Sequence, residues 1–172
     1  EGEGGEVAQS LENPDLSPPN LNSEGAKVHP TWLFNFLKDP GSVKLRPWLD
    51  IRMPTFELSD ADASTVVEYF AALDKQGVNY TTAPEPDISA EHLAAARQLV
   101  DGNHFSCFSC HQQGEIKPSG PVSMWAPDLT LARRRLKKEW IKLWLQDPQQ
   151  LMPVLAVVPA LNLSKARVRS AN

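Results

Sequence analysis

The sequence predicts an all-α protein of two tandem copies, joined by long irregular loops and with few or no strands. Three observations carry that expectation. Apolar residues recur at helical spacing in four segments, and no stretch shows the apolar–polar alternation of a half-buried strand. Fifteen prolines against nine glycines point to stiff, irregular connections. A shift of 108 residues also lays Pro19-Asn20-Leu21 on Pro127-Asp128-Leu129, Trp32 on Trp140, Leu37 on Leu145 and Asp39-Pro40 on Asp147-Pro148.

The first helical segment opens at Pro30, a good first helical position, and ends at Asp39-Pro40-Gly41, with Trp32, Leu33, Phe36 and Leu37 on one stripe. The second follows Ser59, whose hydroxyl caps free amides, with Asp60 and Asp62 in the first turn. Val66, Val67, Tyr69, Phe70 and Leu73 form its apolar face. Residues 74–88 hold glycine, two prolines and polar residues and predict a linker. The third helix is expected over Ser89–Asp101, with Leu93, Ala96, Leu99 and Val100 on one side and Gly102 as C-terminal cap. The fourth is expected over Ala132–Gln146, where Leu136, Trp140, Leu143 and Trp144 share a face. With a short deletion, Pro54-Thr55-Phe56-Glu57-Leu58-Ser59 also aligns with Pro159-Ala160-Leu161-Asn162-Leu163-Ser164. Each copy is incomplete. Residues 89–111 have no counterpart in the first, and the second stops at Asn172, about where its last helix should be building. The expected domains are residues 1–80 and 81–172.

At 172 residues and 19.0 kDa, with 41% hydrophobic and 22% charged residues, the chain can build a packed core. No run approaches the roughly 18 apolar residues of a membrane span. A net charge of −4 and a pI near 5.6 argue against nucleic acid as the main partner. That net hides an asymmetry: residues 1–80 carry a net of −7 and residues 81–172 a net of +3. Glu1-Gly2-Glu3-Gly4-Gly5-Glu6 has neither the basic start nor the apolar core of a signal peptide. The expectation is a leader already removed, or a chain that begins partway into something longer.

Two cysteines are too few for a disulfide scaffold, but they stand in Cys107-Phe108-Ser109-Cys110-His111. C-x-x-C-H is the attachment motif of c-type haem. Two thiols three positions apart on one turn can add to the two vinyl groups of one porphyrin, and the next residue aims an imidazole at the iron. A thioredoxin-like redox pair would sit on a βαβ framework, which the pattern lacks. A zinc site would need His104 and His111 to join both cysteines in one cramped turn.

With these residues the chain resembles the class I cytochrome c family, nearly throughout and as two tandem copies. In that family a helix leads into C-x-x-C-H, a proline-bearing loop follows, and a Met-Pro closes the far side of the haem. The second copy matches in order: the helix at 89–101, Cys107, Cys110 and His111, then Pro127-Asp128-Leu129 and the Trp140–Leu145 helix. The resemblance implies that the Pro127 carbonyl accepts a hydrogen bond from the second ring nitrogen of His111, and that Leu129, Trp140 and Trp144 wall the haem. It also implies attachment outside the cytoplasm, in the periplasm or on the outer face of a membrane.

The sixth ligand departs from the pattern. The first copy has Met53-Pro54, but the aligned place in the second reads Val157-Val158-Pro159. Met152-Pro153 stands six residues earlier, so the iron takes Met152, stays five-coordinate, or is ligated from elsewhere. The first copy lacks cysteines, and by the repeat its C-x-x-C-H would fall just before Glu1. Three readings follow in order of preference. The chain starts just after a first haem motif whose haem Met53 faces; the first copy is a haemless support; or residues 30–73 lend Met53 to the haem on Cys107 and Cys110.

Arg133-Arg134-Arg135-Leu136-Lys137-Lys138 is either a solvated face or a docking patch for an acidic redox partner, and one arginine is placed to bind a haem propionate. His29 and His92 are expected at the surface, and His104 is a spare ligand at most. The expected function is electron transfer within a respiratory or photosynthetic complex, without bond-making chemistry. The rivals are a dihaem peroxidase-like enzyme and a gas-binding sensor, both needing an open iron.

Overall fold

The computed structural model describes residues 19–46, 49, 52–81, 84 and 86–151. Among them helices are the rule: α1 (Glu24–Lys27), α2 (Pro30–Lys38), α3 (Asp60–Leu73), α4 (Ala90–Val100), α5 (Ala132–Arg135), α6 (Lys138–Gln146) and α7 (Pro148–Leu151). Strand-like pairing among the described residues is confined to three isolated bridges. The expected features at Glu1–Glu6, Met152-Pro153 and Val157–Ser164 lie outside the described residues.

Local chemistry sets most boundaries. Pro30 opens α2, its missing N–H costing nothing in the first turn. Ser59 and Asp62 form a capping box on α3: the Ser59 hydroxyl accepts from the Asp62 amide at 3.2 Å, and the Asp62 carboxylate from the Ser59 amide at 3.3 Å. Ser89 caps α4 by accepting from the His92 amide at 3.2 Å. The end of α4 corrects the sequence expectation. Asp101 leaves the helix extended (φ −74°, ψ 177°), and Gly102 does not adopt the left-handed conformation. Residues 74–81 form an irregular connection tied back to α2, where Thr31 Oγ1 donates to the Tyr80 carbonyl at 2.7 Å and Phe34 meets the Tyr80 ring edge-on.

The expected helix over 132–146 is two helices. Leu136 is extended (φ −104°, ψ 138°) because the chain there pairs with the first copy. Val28 and Leu136, related by the 108-residue shift, bridge each other antiparallel. The His29 amide donates to the Arg135 carbonyl and the Lys137 amide to the Lys27 carbonyl, both at 2.9 Å. The shift carries the first bond onto the second, so the copies meet about a local pseudo-twofold axis. Their flanks agree closely: α1 and α2 match α5 and α6 residue for residue. Trp32 stacks on Phe36 at 4.9 Å, and Trp140 on Trp144 at 5.0 Å.

The apolar core is built chiefly from residues 28–70. Val28, Leu33, Leu37, Ala63 and Val67 are buried together, flanked by Trp32, Phe34, Met53, Leu58, Val66, Phe70 and Leu136. On α3 the buried positions are Ala63, Val67 and Ala71, while Tyr69 and Leu73 stay exposed, against the broad face expected. Small residues there allow α1 to sit directly on the α3 backbone: a Cβ on Gly25 would be driven into the Phe70 carbonyl and the Ala71 Cα. The second copy buries far less. Between 86 and 151 only Pro118, Trp140 and Pro148 are buried, and α4 buries nothing. Among the described residues, no helix is long and apolar enough to cross a membrane.

Candidate functional site

The cysteines follow α4 on a turn that the end of the helix itself builds. The Phe105 amide donates to the Leu99 carbonyl at 3.0 Å and the Ser106 amide to the Asp101 carbonyl at 2.8 Å, with Ser106 left-handed (φ 51°). A single 3₁₀ turn, Cys107–Ser109, then carries the motif. The Cys110 and His111 amides both donate to the Cys107 carbonyl, at 3.3 and 2.9 Å. Two thiols and an imidazole therefore project from one turn of chain. Both cysteines are unpaired; Cys107 is half-buried and Cys110 exposed. Burial pushes the Cys107 thiol up, so it stays protonated at neutral pH.

A second segment runs alongside the motif. His111 and Ala126 form a parallel bridge, with the Ala126 amide donating to the Cys110 carbonyl at 2.7 Å and the Leu129 amide to the Gln112 carbonyl at 2.8 Å. This sets the Pro127 carbonyl 2.7 Å from His111 Nδ1. A carbonyl only accepts, so Nδ1 carries the proton and Nε2 keeps its lone pair. Asp128 anchors the segment, accepting from the Thr130 amide at 2.8 Å and the Gly114 amide at 3.3 Å. Burial works to raise the Asp128 carboxyl, but these hydrogen bonds outweigh it and hold it below its ordinary value. Gly114 is left-handed (φ 58°), a conformation that suits glycine in this turn.

Backbone hydrogen bonds and the His111–Pro127 bond thus join Cys107, Cys110, His111, Pro127 and Leu129 in one group. Trp140 stands apart from it, at the junction: 7% exposed, stacked on Trp144, with Lys27 Nζ 5.7 Å from its ring centroid. Met53 is half-buried against the first-copy core, and Met152 lies outside the described residues. His104 Nδ1 faces Asp101 at 3.5 Å, and among the described residues no three His, Cys, Asp or Glu side chains gather as metal ligands. His92 is exposed, whereas His29, expected at the surface, is half-buried because its amide belongs to the junction.

The basic run divides. Arg133, Arg134 and Lys138 are exposed, but Arg135 turns inward with its guanidinium carbon 5.2 Å from the Trp32 ring centroid. Burial pulls Arg135 below the ordinary arginine value, and the nearby Glu24 charge opposes it. Glu24 and Lys27 were not singled out in the sequence, and Arg135 only as one of the basic run. One signal was there: the 108-residue shift lays Lys27 on Arg135, each five residues before a tryptophan. Arg135 Nε and Trp140 Nε1 are buried donors with no acceptor among the described residues.

Comparison with protein-family models, with curated proteins and with solved structures gives no match. The likeness to class I cytochromes c therefore rests on the residues themselves.

Proposed function

We propose that the chain is an electron-transfer c-type cytochrome carrying one covalent haem on Cys107 and Cys110, with His111 as an axial ligand. One observation carries the reading. The Nδ1–H of His111 is committed to the Pro127 carbonyl, so the residue directly after the two thiols offers Nε2 to a metal. The donor set fits haem. Each thiol S–H adds across one vinyl C=C, sulfur to one carbon and hydrogen to the other, with no net oxidation. Leu93, Ile116, Val122, Met124 and Leu143 are exposed apolar side chains that an apolar cofactor would cover.

Haem, once bound, takes up and releases a single electron at its iron. The protein's share is to tether the ring through two sulfurs, hold the His111 tautomer and orientation through Pro127, and make that ligand more basic. Met152 is the sixth ligand available in sequence, and methionine there raises the potential. The two tandem copies form a cytochrome c-like pair whose partners are redox proteins, in or near an extracytoplasmic respiratory or photosynthetic complex.

The test is haem extraction. Produced where c-type haem is attached, the chain should keep its haem through acidified acetone, and Cys107→Ala/Cys110→Ala should release it. Complete extraction from the unaltered chain overturns the proposal.

A further inference from the structure

Among the described residues a single buried carboxylate, Glu24, sits where the repeat breaks. Glu24 is 7% exposed, and its counterpart 108 residues on is Ala132. Its Oε1 accepts from Lys27 Nζ at 2.5 Å, with both side chains nearly out of water. Lys27 stands on the Trp140 ring and Arg135 on the Trp32 ring, 5.7 and 5.2 Å from the centroids. The acid therefore holds the cation that covers Trp140.

Glu24 is itself fixed from both sides. Gly25 lies against the α3 backbone, and the Ala26 amide donates to Asp74 Oδ2 at 2.9 Å. From the second copy, Lys137 Nζ donates to the Gly25 carbonyl at 2.7 Å. Remove the carboxylate and Lys27, its side chain 12% exposed, keeps its charge without the acid beside it. A cation left uncompensated in a dry setting moves outward to water. The face of Trp140 would then lose its partner.

We propose that Glu24 is a positioning residue for the Trp140–Trp144 pair: its carboxylate keeps Lys27 on the Trp140 ring. On the haem reading above, Trp140 walls the haem, so that wall is set in part by a carboxylate 116 residues earlier in the chain. Lys27 acts as its arm, and the two function as a unit.

The test uses the full chain with Glu24→Gln, Lys27→Met, Lys27→Arg and the Glu24→Gln/Lys27→Met double variant. Near-ultraviolet circular dichroism reads the stacked indoles, and far-ultraviolet dichroism reads helix content. Glu24→Gln and Lys27→Met should each lose at least about half of the aromatic signal at unchanged helix content, while Lys27→Arg keeps it. The double variant should lose no more than either single one, as coupled residues do. An unchanged aromatic signal in Glu24→Gln, or losses that add in the double variant, overturns the inference. Should Glu24→Gln lose helix, Lys27→Met against Lys27→Arg decides: equal signals overturn the inference. A chain that holds no haem yet shows these aromatic losses overturns the haem reading alone; haem held with no aromatic losses overturns this inference alone.

Discussion

His111 and Pro127 are joined by a 2.7 Å hydrogen bond from ring Nδ1 to the backbone carbonyl, across sixteen residues of chain. The bond is held in place by two backbone contacts on either side, Ala126 to Cys110 and Leu129 to Gln112. The acceptor is backbone, so it survives side-chain change at 127; what proline adds is a fixed φ and no competing N–H. Nitrogen-15 spectra of the haem-free chain should show His111 protonated at Nδ1. A His111 signal with the proton on Nε2 would contradict the arrangement.

Asp128 ties the same segment down. Its folded-state carboxyl lies below the ordinary aspartate value of about 3.9, so it stabilises the fold above that pH. The contribution fades as pH falls through the lower folded value. Asp128→Ala should cost about 1–2 kcal/mol at neutral pH in urea unfolding, in line with a lost cap. Asp128→Asn should flatten the acid limb of the stability–pH curve, and an unchanged limb would contradict the assignment.

Gly25 permits the contact between α1 and α3. Gly25→Ala should destabilise the chain by roughly 1–3 kcal/mol, as forced overpacking does. It should do so although alanine favours helix. Stability equal to or above the parent's in urea unfolding would show that α1 does not pack there.

The two methionines of the Met-Pro pairs should behave differently. Met53 packs on the Val28–Leu33–Val67 cluster, so Met53→Leu should cost under about 1.5 kcal/mol and leave the iron spectrum of the second copy unchanged. Met152→Leu should abolish a methionine-ligated low-spin spectrum and let carbon monoxide bind the reduced haem. Carbon monoxide binding equally to the unaltered chain would instead favour the open-iron readings, peroxidase-like or sensing.

Much of this was legible locally. Pro30, Ser59 and Ser89 mark helix starts through groups within three residues of themselves, and all three helices begin there. The 108-residue shift lays Trp32 on Trp140, and the two helices that carry them have equal length, although the second was expected to start at Ala132. The misreading at Gly102 is local, but two others depend on distant chain. Leu136 carries a helical apolar pattern, yet it is extended because Val28, 108 residues away, offers a backbone partner. Tyr69 and Leu73 look like core on a helical wheel, but small residues won the buried face because α1 needs a close approach to α3. At the site, the motif named Cys107, Cys110 and His111, and the family likeness supplied Pro127. Glu24 had no motif to announce it, since its importance arises only where two copies meet.

The central claim is that Cys107 and Cys110 hold one haem through two thioether bonds. Intact mass of the chain, isolated from its native source and denatured, tests it most directly, because covalent haem survives denaturation. The account predicts the polypeptide mass plus haem, with neither thiol open to alkylation. A bare polypeptide mass, with both cysteines alkylated, would contradict it.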